Sequence, residues 1–339
     1  MRKILKSLGL LAPLIAGTQL SPKPGVTVIR TAFDRDAAKV ARALEQNAPE
    51  GIVEETEIQY ASGSPVKDKG NTTLDIVRTS KNKDEKLPVL IWAHGGGWIS
   101  GKSWHVNPYL KYIVSDKVAA VSLNYSLAPE RKYPTQVEQI NIALKFLKEH
   151  QDKFNLDMSQ VILAGDSAGS QLTSQIAAIT TNPEFAQECN IVPALEPEEL
   201  KGVILQCGVY DLPRLLGSKT GSKIVNWGFK QEAWALTGTK NDNLEHDTLQ
   251  AMSTIYHVTE DFPPVLISGG NGDGFTNPQS KRFATELEKL GVKVTRIFFD
   301  NADPELPHEY QFKLEFPEAK EILHETINWI DERLNTHLS

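Results

Sequence analysis

Hydrophobic and polar positions follow two different rhythms along this chain. Between residues 53 and 80 the runs VEETEIQYA and TTLDIVRTS step between apolar and polar, and the turn-like stretch SGSPVKDKGN separates them. A period of two predicts strands with one buried face, so this region reads as a β-hairpin. Further on, VLIWAH, VAAVSLNY, VILAGD, GVILQCG, PVLISGG and VKVTRIFF are continuous apolar runs. They alternate with helix-period stretches near 107–116, 137–153, 167–181, 278–290 and 317–336. Strands covered on both faces lose the alternation, and their interleaving with helices implies βαβ units. The expected fold is α/β, a mostly parallel, doubly wound sheet. An amphipathic helix with an Asp-rich start is expected over 34–48. About fifty residues, 212–262, separate GVILQCGV from PPVLISGG. That is far longer than an ordinary βαβ connection and predicts a helical cap over the carboxyl edge of the sheet.

Composition narrows the function classes. Of 339 residues, 40% are hydrophobic and 23% charged, the balance of an ordinary soluble globular protein. A formal charge of −7 without a basic block argues against a nucleic-acid partner. Cys189 and Cys207 lie apart, one in a loop-like stretch and one in an apolar run, so neither a disulfide framework nor a metal site is indicated. Cys207 is expected to be a small core residue.

The N-terminus supports two readings. Arg2, Lys3 and Lys6 precede LGLLAPLIAG, which resembles the charged and apolar regions of a signal peptide but has no clean cleavage site. Alternatively Ile4, Leu8, Leu11 and Ile15 form one face of a helix packed on the body of the protein, the reading that the spacing favours. The apolar run is too short for a stable membrane span and is interrupted by Pro13. A cytoplasmic protein is expected, with export or membrane association through residues 1–20 as the alternative.

The chemistry-bearing residues cluster at strand ends. GDSAG, residues 165–169, closes the run VILAGD and opens a helical stretch. A serine between glycines at a strand-to-helix corner is the nucleophile-elbow pattern, with Ser167 at its apex. After VLIWA comes His94-Gly95-Gly96-Gly97-Trp98. Successive glycines let backbone amides face a substrate, and the Gly96, Gly97 and Ala168 N–H groups are candidates for an oxyanion hole. A phosphate cradle is the competing use of such a loop, but no G-K-[ST] follows. In the order Ser, Asp or Glu, His, the base must follow Ser167. His94, His105 and His150 precede it, His246 and His257 fall in the insertion, and His324 and His337 fall in the terminal helix. His308, in DNADPELPHEYQF between the last strand and the last helix, is left as base. Asp273, in GGNGDGFTNPQS after the preceding strand, is the expected acid, with Asp300 and Asp303 as alternatives on the histidine's own loop.

Taken together, HGGGW, the segment Tyr125 to Glu130 (Y-x-L-A-P-E), GDSAG, the Gly-Asn-Gly-Asp loop and the late His308 resemble the hormone-sensitive-lipase-like branch of α/β-hydrolase esterases, over roughly residues 85–335. The resemblance implies Ser167 as nucleophile, His308 as general base and acid, Asp273 as its orienting partner, and Gly96, Gly97 and Ala168 as oxyanion donors. It also implies N-terminal cap helices, dividing the chain into 1–50 and a catalytic domain 51–339. Gly274 stands where the family usually has proline after the acid, and the spacing to the next helix is a residue longer at Asn277. The expected activity is that of a serine carboxylesterase on short-chain acyl esters, with no cofactor and no metal, and a small-molecule ester as its partner. A serine peptidase or amidase, or a non-catalytic ligand receptor on the same fold, are the alternatives; the presence of His308 speaks against the receptor. Trp98, Trp227, Phe229 and Trp234 are the aromatic candidates for a substrate pocket.

Overall fold

The structure, a computed structural model, describes residues 20–61, 71–217, 223–240 and 247–334. The N-terminal face at Ile4, Leu8, Leu11 and Ile15, most of the turn between the first two strands, His246 and His337 lie outside the described residues.

Among the described residues eight strands form one sheet: β1 (Ile52–Gln59), β2 (Thr73–Thr79), β3 (Leu87–Ala93), β4 (Ala119–Leu123), β5 (Leu156–Asp166), β6 (Leu200–Gln206), β7 (Val265–Gly269) and β8 (Val294–Phe298). Their order is β1-β2-β4-β3-β5-β6-β7-β8. The expected hairpin is present as β1 paired antiparallel with β2, which in turn pairs antiparallel with β4. From β4 to β8 every pairing is parallel. The central strands bury both faces. Val89, Ile91 and Ala93 of β3 join one hydrophobic cluster while Leu90 and Trp92 join the other. This is why the alternation disappears from the sequence there.

The helices between the strands cover the two faces. One face takes α3 (Thr135–Glu149), α4 (Ala168–Thr181) and the short α5 (Pro183–Glu188), the other α2 (Ser103–Ile113) and the last helix of the described chain, Pro317–Arg333. Helix α2 starts ahead of the expected 107–116 and carries Pro108 in its interior, where Val106, Leu110 and Ile113 bury its apolar stripe. Burial of that stripe outweighs the hydrogen bond that proline removes. The first described helix, α1 (Lys23–Glu45), also begins earlier than the pattern at 34–48, with Pro24 in its first turn. Asp34, read from the sequence as an acidic start, lies mid-helix and accepts a hydrogen bond from Ser100 Oγ at 2.6 Å.

The described residues of 212–262 include the helices α6 (Leu212–Gly217), α7 (Lys223–Thr237) and α8 (Asp247–Ala251), of which α6 and α7 stand beside Ser167 at the carboxyl edge of the sheet. Helices α1 and α7 cross closely at Gly25. A Cβ there would lie 2.9 Å from Gln231 Oε1 and 3.1 Å from the Trp227 ring. Arg30 fastens α1 to the body, donating to the Ile99 carbonyl at 2.5 Å, the Ala128 carbonyl at 2.6 Å and Glu130 at 2.7 Å. No helix among the described residues is long and apolar enough to cross a membrane.

Candidate active site

The strand order reverses at β3, between β4 and β5, and in open α/β sheets ligands bind beyond the carboxyl ends of the strands near such a switch point. The residues singled out in the sequence emerge there from four strands: His94 to Gly97 after β3, Ser167 after β5, Asp273 after β7 and His308 after β8.

The corner at Ser167 is tight. A Cβ on Gly165 would lie 2.5 Å from the Gly169 carbonyl carbon, and one on Gly169 would lie 2.0 Å from the Ala93 carbonyl oxygen. Nothing larger than glycine fits at either flank. Ser167 itself takes φ 50° and ψ −118°, a conformation that L-residues rarely adopt. Its amide is held by the Gln206 carbonyl at 2.8 Å. Helix α4 begins immediately, so the Ala168 N–H has no helical carbonyl a turn before it.

His308 Nε2 stands 2.9 Å from Ser167 Oγ, and His308 Nδ1 stands 2.8 Å from Asp273 Oδ2. The other oxygen of Asp273 accepts from the Phe275 amide at 2.9 Å, so both carboxylate oxygens are engaged. Burial disfavours the imidazolium, but the Asp273 carboxylate and its hydrogen bond, then Glu309 and Asp166, outweigh it and push the His308 pKa up to about 9. Asp300 and Asp303 are exposed, and Asp300 pairs with Lys281. Gly274 has no atom within 4 Å of where a Cβ would stand, so a side chain would fit there. Cys207 is fully buried and approaches Asp273 and His308, but both histidine nitrogens are already engaged, which leaves this trio no free nitrogen for a metal.

The glycine loop is pinned from several directions. Asp166 takes the Trp92 indole N–H on Oδ1 at 2.7 Å and the Gly95 amide on Oδ2 at 2.8 Å. Burial, and next the neighbouring Glu309 carboxylate, push the Asp166 carboxyl well above its usual range. The His94 ring stacks on Tyr125 at 4.3 Å, and Tyr125 OH donates to the His94 carbonyl at 2.7 Å. Burial holds the His94 pKa down near 4, so the ring is a neutral brace. Gly96 and Gly97 sit at φ 110° and 60°. Among the described residues neither amide meets an acceptor of the protein.

A cavity of about 680 Å³ opens over Ser167. Its walls are largely apolar: Ile29, Phe33 and Val40 of α1, Leu215 of α6, Trp227 and Phe229 of α7, and Phe275. Phe229 lies 5.2 Å from Phe275, whose ring meets the edge of His308 at 5.0 Å, so the cap touches the histidine through one intervening ring. Two of the four aromatic candidates are corrected. Trp98 is buried and lies off the cavity, because its indole N–H finds a buried acceptor on α4, Gln171 Oε1 at 2.9 Å. Trp234 lies off the cavity, with the Lys240 ammonium over its ring at 5.2 Å. The sequence reading passed over Phe275, Glu309, Arg30 and Glu232. Glu232 carried a usable signal: Val225, Phe229, Glu232 and Leu236 share one helical face, and a charge in an apolar stripe is unusual.

Sheet order, elbow and flanking loops define an α/β-hydrolase. The family model BD-FAE matches residues 74–287. A protein of Acanthamoeba polyphaga mimivirus described as an alpha/beta hydrolase is 27% identical over 231 residues, 67% of this chain and 63% of that protein. An esterase of Gibberella moniliformis is 25% identical over 236 residues, 67% of this chain and 70% of its own length. Less than two thirds of the first relative's length is thus spanned. Esterase B of Lactobacillus rhamnosis superposes with a TM-score of 0.78 at 24% identity, covering 93% of this chain and 96% of that one. The same Lactobacillus protein in its tributyrin-phosphonate-inhibited form gives 0.76 at 24% identity, over 91% and 95%. The chain belongs to the BD-FAE family.

Proposed function

We propose that this protein is a serine carboxylesterase that hydrolyses short-chain acyl esters through an acyl-enzyme intermediate. The observation that carries the reading is the unbroken hydrogen-bond chain from Asp273 through His308 to Ser167, at 2.8 and 2.9 Å, opening into an apolar cavity. In this reading Ser167 Oγ attacks the ester carbonyl carbon while His308 Nε2 takes its proton. Asp273 fixes the Nδ1–H tautomer and stabilises the imidazolium. The carbonyl oxygen, now negative, is received by the Gly96, Gly97 and Ala168 amides. His308 then gives its proton to the departing alcohol, and water repeats the sequence to release the acid and free Ser167. Trp227 and Phe229 wall the substrate pocket.

Two observations support a short acyl chain. The rings of Trp227, Phe229 and Phe275 crowd the cavity around His308. The structurally similar Lactobacillus esterase B is inhibited by a phosphonate of tributyrin. Stoichiometric labelling by a fluorophosphonate that is lost in Ser167→Ala, together with turnover of p-nitrophenyl butyrate, tests the reading. Hydrolysis that persists in the unlabelled Ser167→Ala protein would overturn it.

A further inference from the structure

Glu232 is the one carboxyl that α7 places in the cavity, and it stands against the oxyanion loop. A Cβ on Gly97 would lie 2.8 Å from Glu232 Oε2 and 2.9 Å from its carboxyl carbon, so the side chain rests on the Gly97 backbone itself. It is 6% exposed. Among the described residues no donor lies within hydrogen-bond reach of it, and no lysine or arginine pairs with it. Trp227, Phe229 and Leu215 give the same cavity its apolar character.

A buried carboxyl without a partner costs stability unless something supplies its hydrogen bond. Apolar pockets with one or two convergent polar groups use those groups to orient a ligand. We infer that Glu232 is a specificity-determining residue, which receives a neutral hydroxyl borne by the ester substrate a few atoms from the scissile carbonyl. Burial, opposed by His308, moves the Glu232 pKa up to about 8, so near neutrality the group is a carboxylic acid that can both donate and accept, as pairing with a hydroxyl requires. An uncharged partner also suits a cavity whose walls are mainly hydrocarbon.

The inference rests on the esterase reading above, and the experiment separates the two. The protein is assayed by pH-stat on methyl butyrate, on methyl 3-hydroxybutyrate with the hydroxyl in the acyl part, on 2-hydroxyethyl butyrate with it in the alcohol part, and on 2-(dimethylamino)ethyl butyrate. Turnover of methyl butyrate tests esterase activity alone, and its absence overturns that reading. The wild type should prefer one of the two hydroxylated esters over methyl butyrate by roughly tenfold in kcat/KM, the order expected for one hydrogen bond made away from water. The better of the two tells which side of the ester faces Glu232. Glu232→Leu should reverse that ratio, losing the hydroxylated ester while gaining on methyl butyrate, and Glu232→Gln should keep it, because an amide also donates and accepts. Equal wild-type rates on all three neutral esters would overturn the proposal whatever the variants do. So would a preference for the dimethylamino ester that Glu232→Leu abolishes, which would assign the carboxyl to a cation.

Discussion

Replacing Glu232 by glutamine should stabilise the protein at alkaline pH and leave it unchanged in acid. In the folded state burial moves this carboxyl from 4.5 to about 8. An acid whose folded pKa lies above its unfolded value binds a proton in the native state that the unfolded chain has already released. Stability therefore falls as pH rises from about 4.5 and stops falling near 8. At about 1.4 kcal/mol for each tenfold change in proton affinity, the full gap sets an upper bound of about 5 kcal/mol. Local relaxation and water entry reduce this, and about 2–4 kcal/mol is the expected gain of Glu232→Gln at pH 8.5. The amide has the same shape, cannot ionise, and removes the pH-dependent part only. For a chain of this length about 3 kcal/mol corresponds to a rise of roughly 4 °C in Tm. Urea unfolding of both proteins at pH 4 and at pH 8.5 reads it directly. A stability difference of equal size at both pH values would refute the argument, since it would then arise from packing and not from the proton.

Four further outcomes are expected. Ser167→Ala should lower ester turnover by roughly a thousandfold or more while Tm stays within about 2 °C, because the hydroxyl at this corner buries no apolar surface. Since the base must be neutral and the His308 pKa is pushed up to about 9, kcat/KM should climb about tenfold per pH unit from pH 6 toward 9. This is best measured in Glu232→Gln, and a flat profile would contradict it. Asp273→Asn should cost about 10⁴ in kcat by favouring the wrong tautomer, while Asp300→Asn and Asp303→Asn stay within about twofold. In a p-nitrophenyl ester series, rates should rise with acyl length up to about six carbons, each fitting methylene adding up to about 0.8 kcal/mol, and then drop; an optimum at twelve carbons would show an open groove.

Residues whose backbone or chemistry is dictated locally were the legible ones. The elbow could be read because Gly165 and Gly169 have contacts that admit no side chain, and the glycine loop because Gly96 and Gly97 need left-handed backbone. Asp273 followed from strand order and His308 from the order Ser, Asp, His, and in the structure His308 stands between Ser167 and Asp273. Properties set by tertiary neighbours were not legible. Trp98 and Trp227 look alike in sequence, yet one is buried in a bond to Gln171 and the other lines the cavity against α1. Glu232 was legible only in part: its place in an apolar stripe hints at burial, but the Gly97 backbone it rests against comes from a distant loop. The start of α1 was missed for a similar reason, since an acidic cluster at Asp34 and Asp36 imitates a helix N-terminus while Pro24 supplies the real one.

The two halves of the site are built to different tolerances. In the proposed mechanism the oxyanion donors belong to a loop and an elbow held in place beforehand: buried bonds join Asp166 to Gly95, Tyr125 to the His94 carbonyl and Trp98 to Gln171, and a half-buried one joins Arg30 to the Ile99 carbonyl. Dipoles fixed before the substrate arrives need no reorganisation as charge develops, and this is where electrostatic catalysis gains most. The pocket wall is attached differently. Trp227 and Phe229 project from α7, which meets α1 at Gly25, touches the body through ring contacts such as Phe229 to Phe275, and accepts the Tyr133 amide on the Leu236 carbonyl at 3.0 Å. Substitutions on α7 can therefore change which ester fits without disturbing the bonds that carry the chemistry. Beside the bond from Ser100 to Asp34, Arg30 joins the halves. It ties α1, and through it the pocket wall, to the carbonyl two residues beyond Gly97, so its loss should loosen substrate selection and oxyanion geometry together.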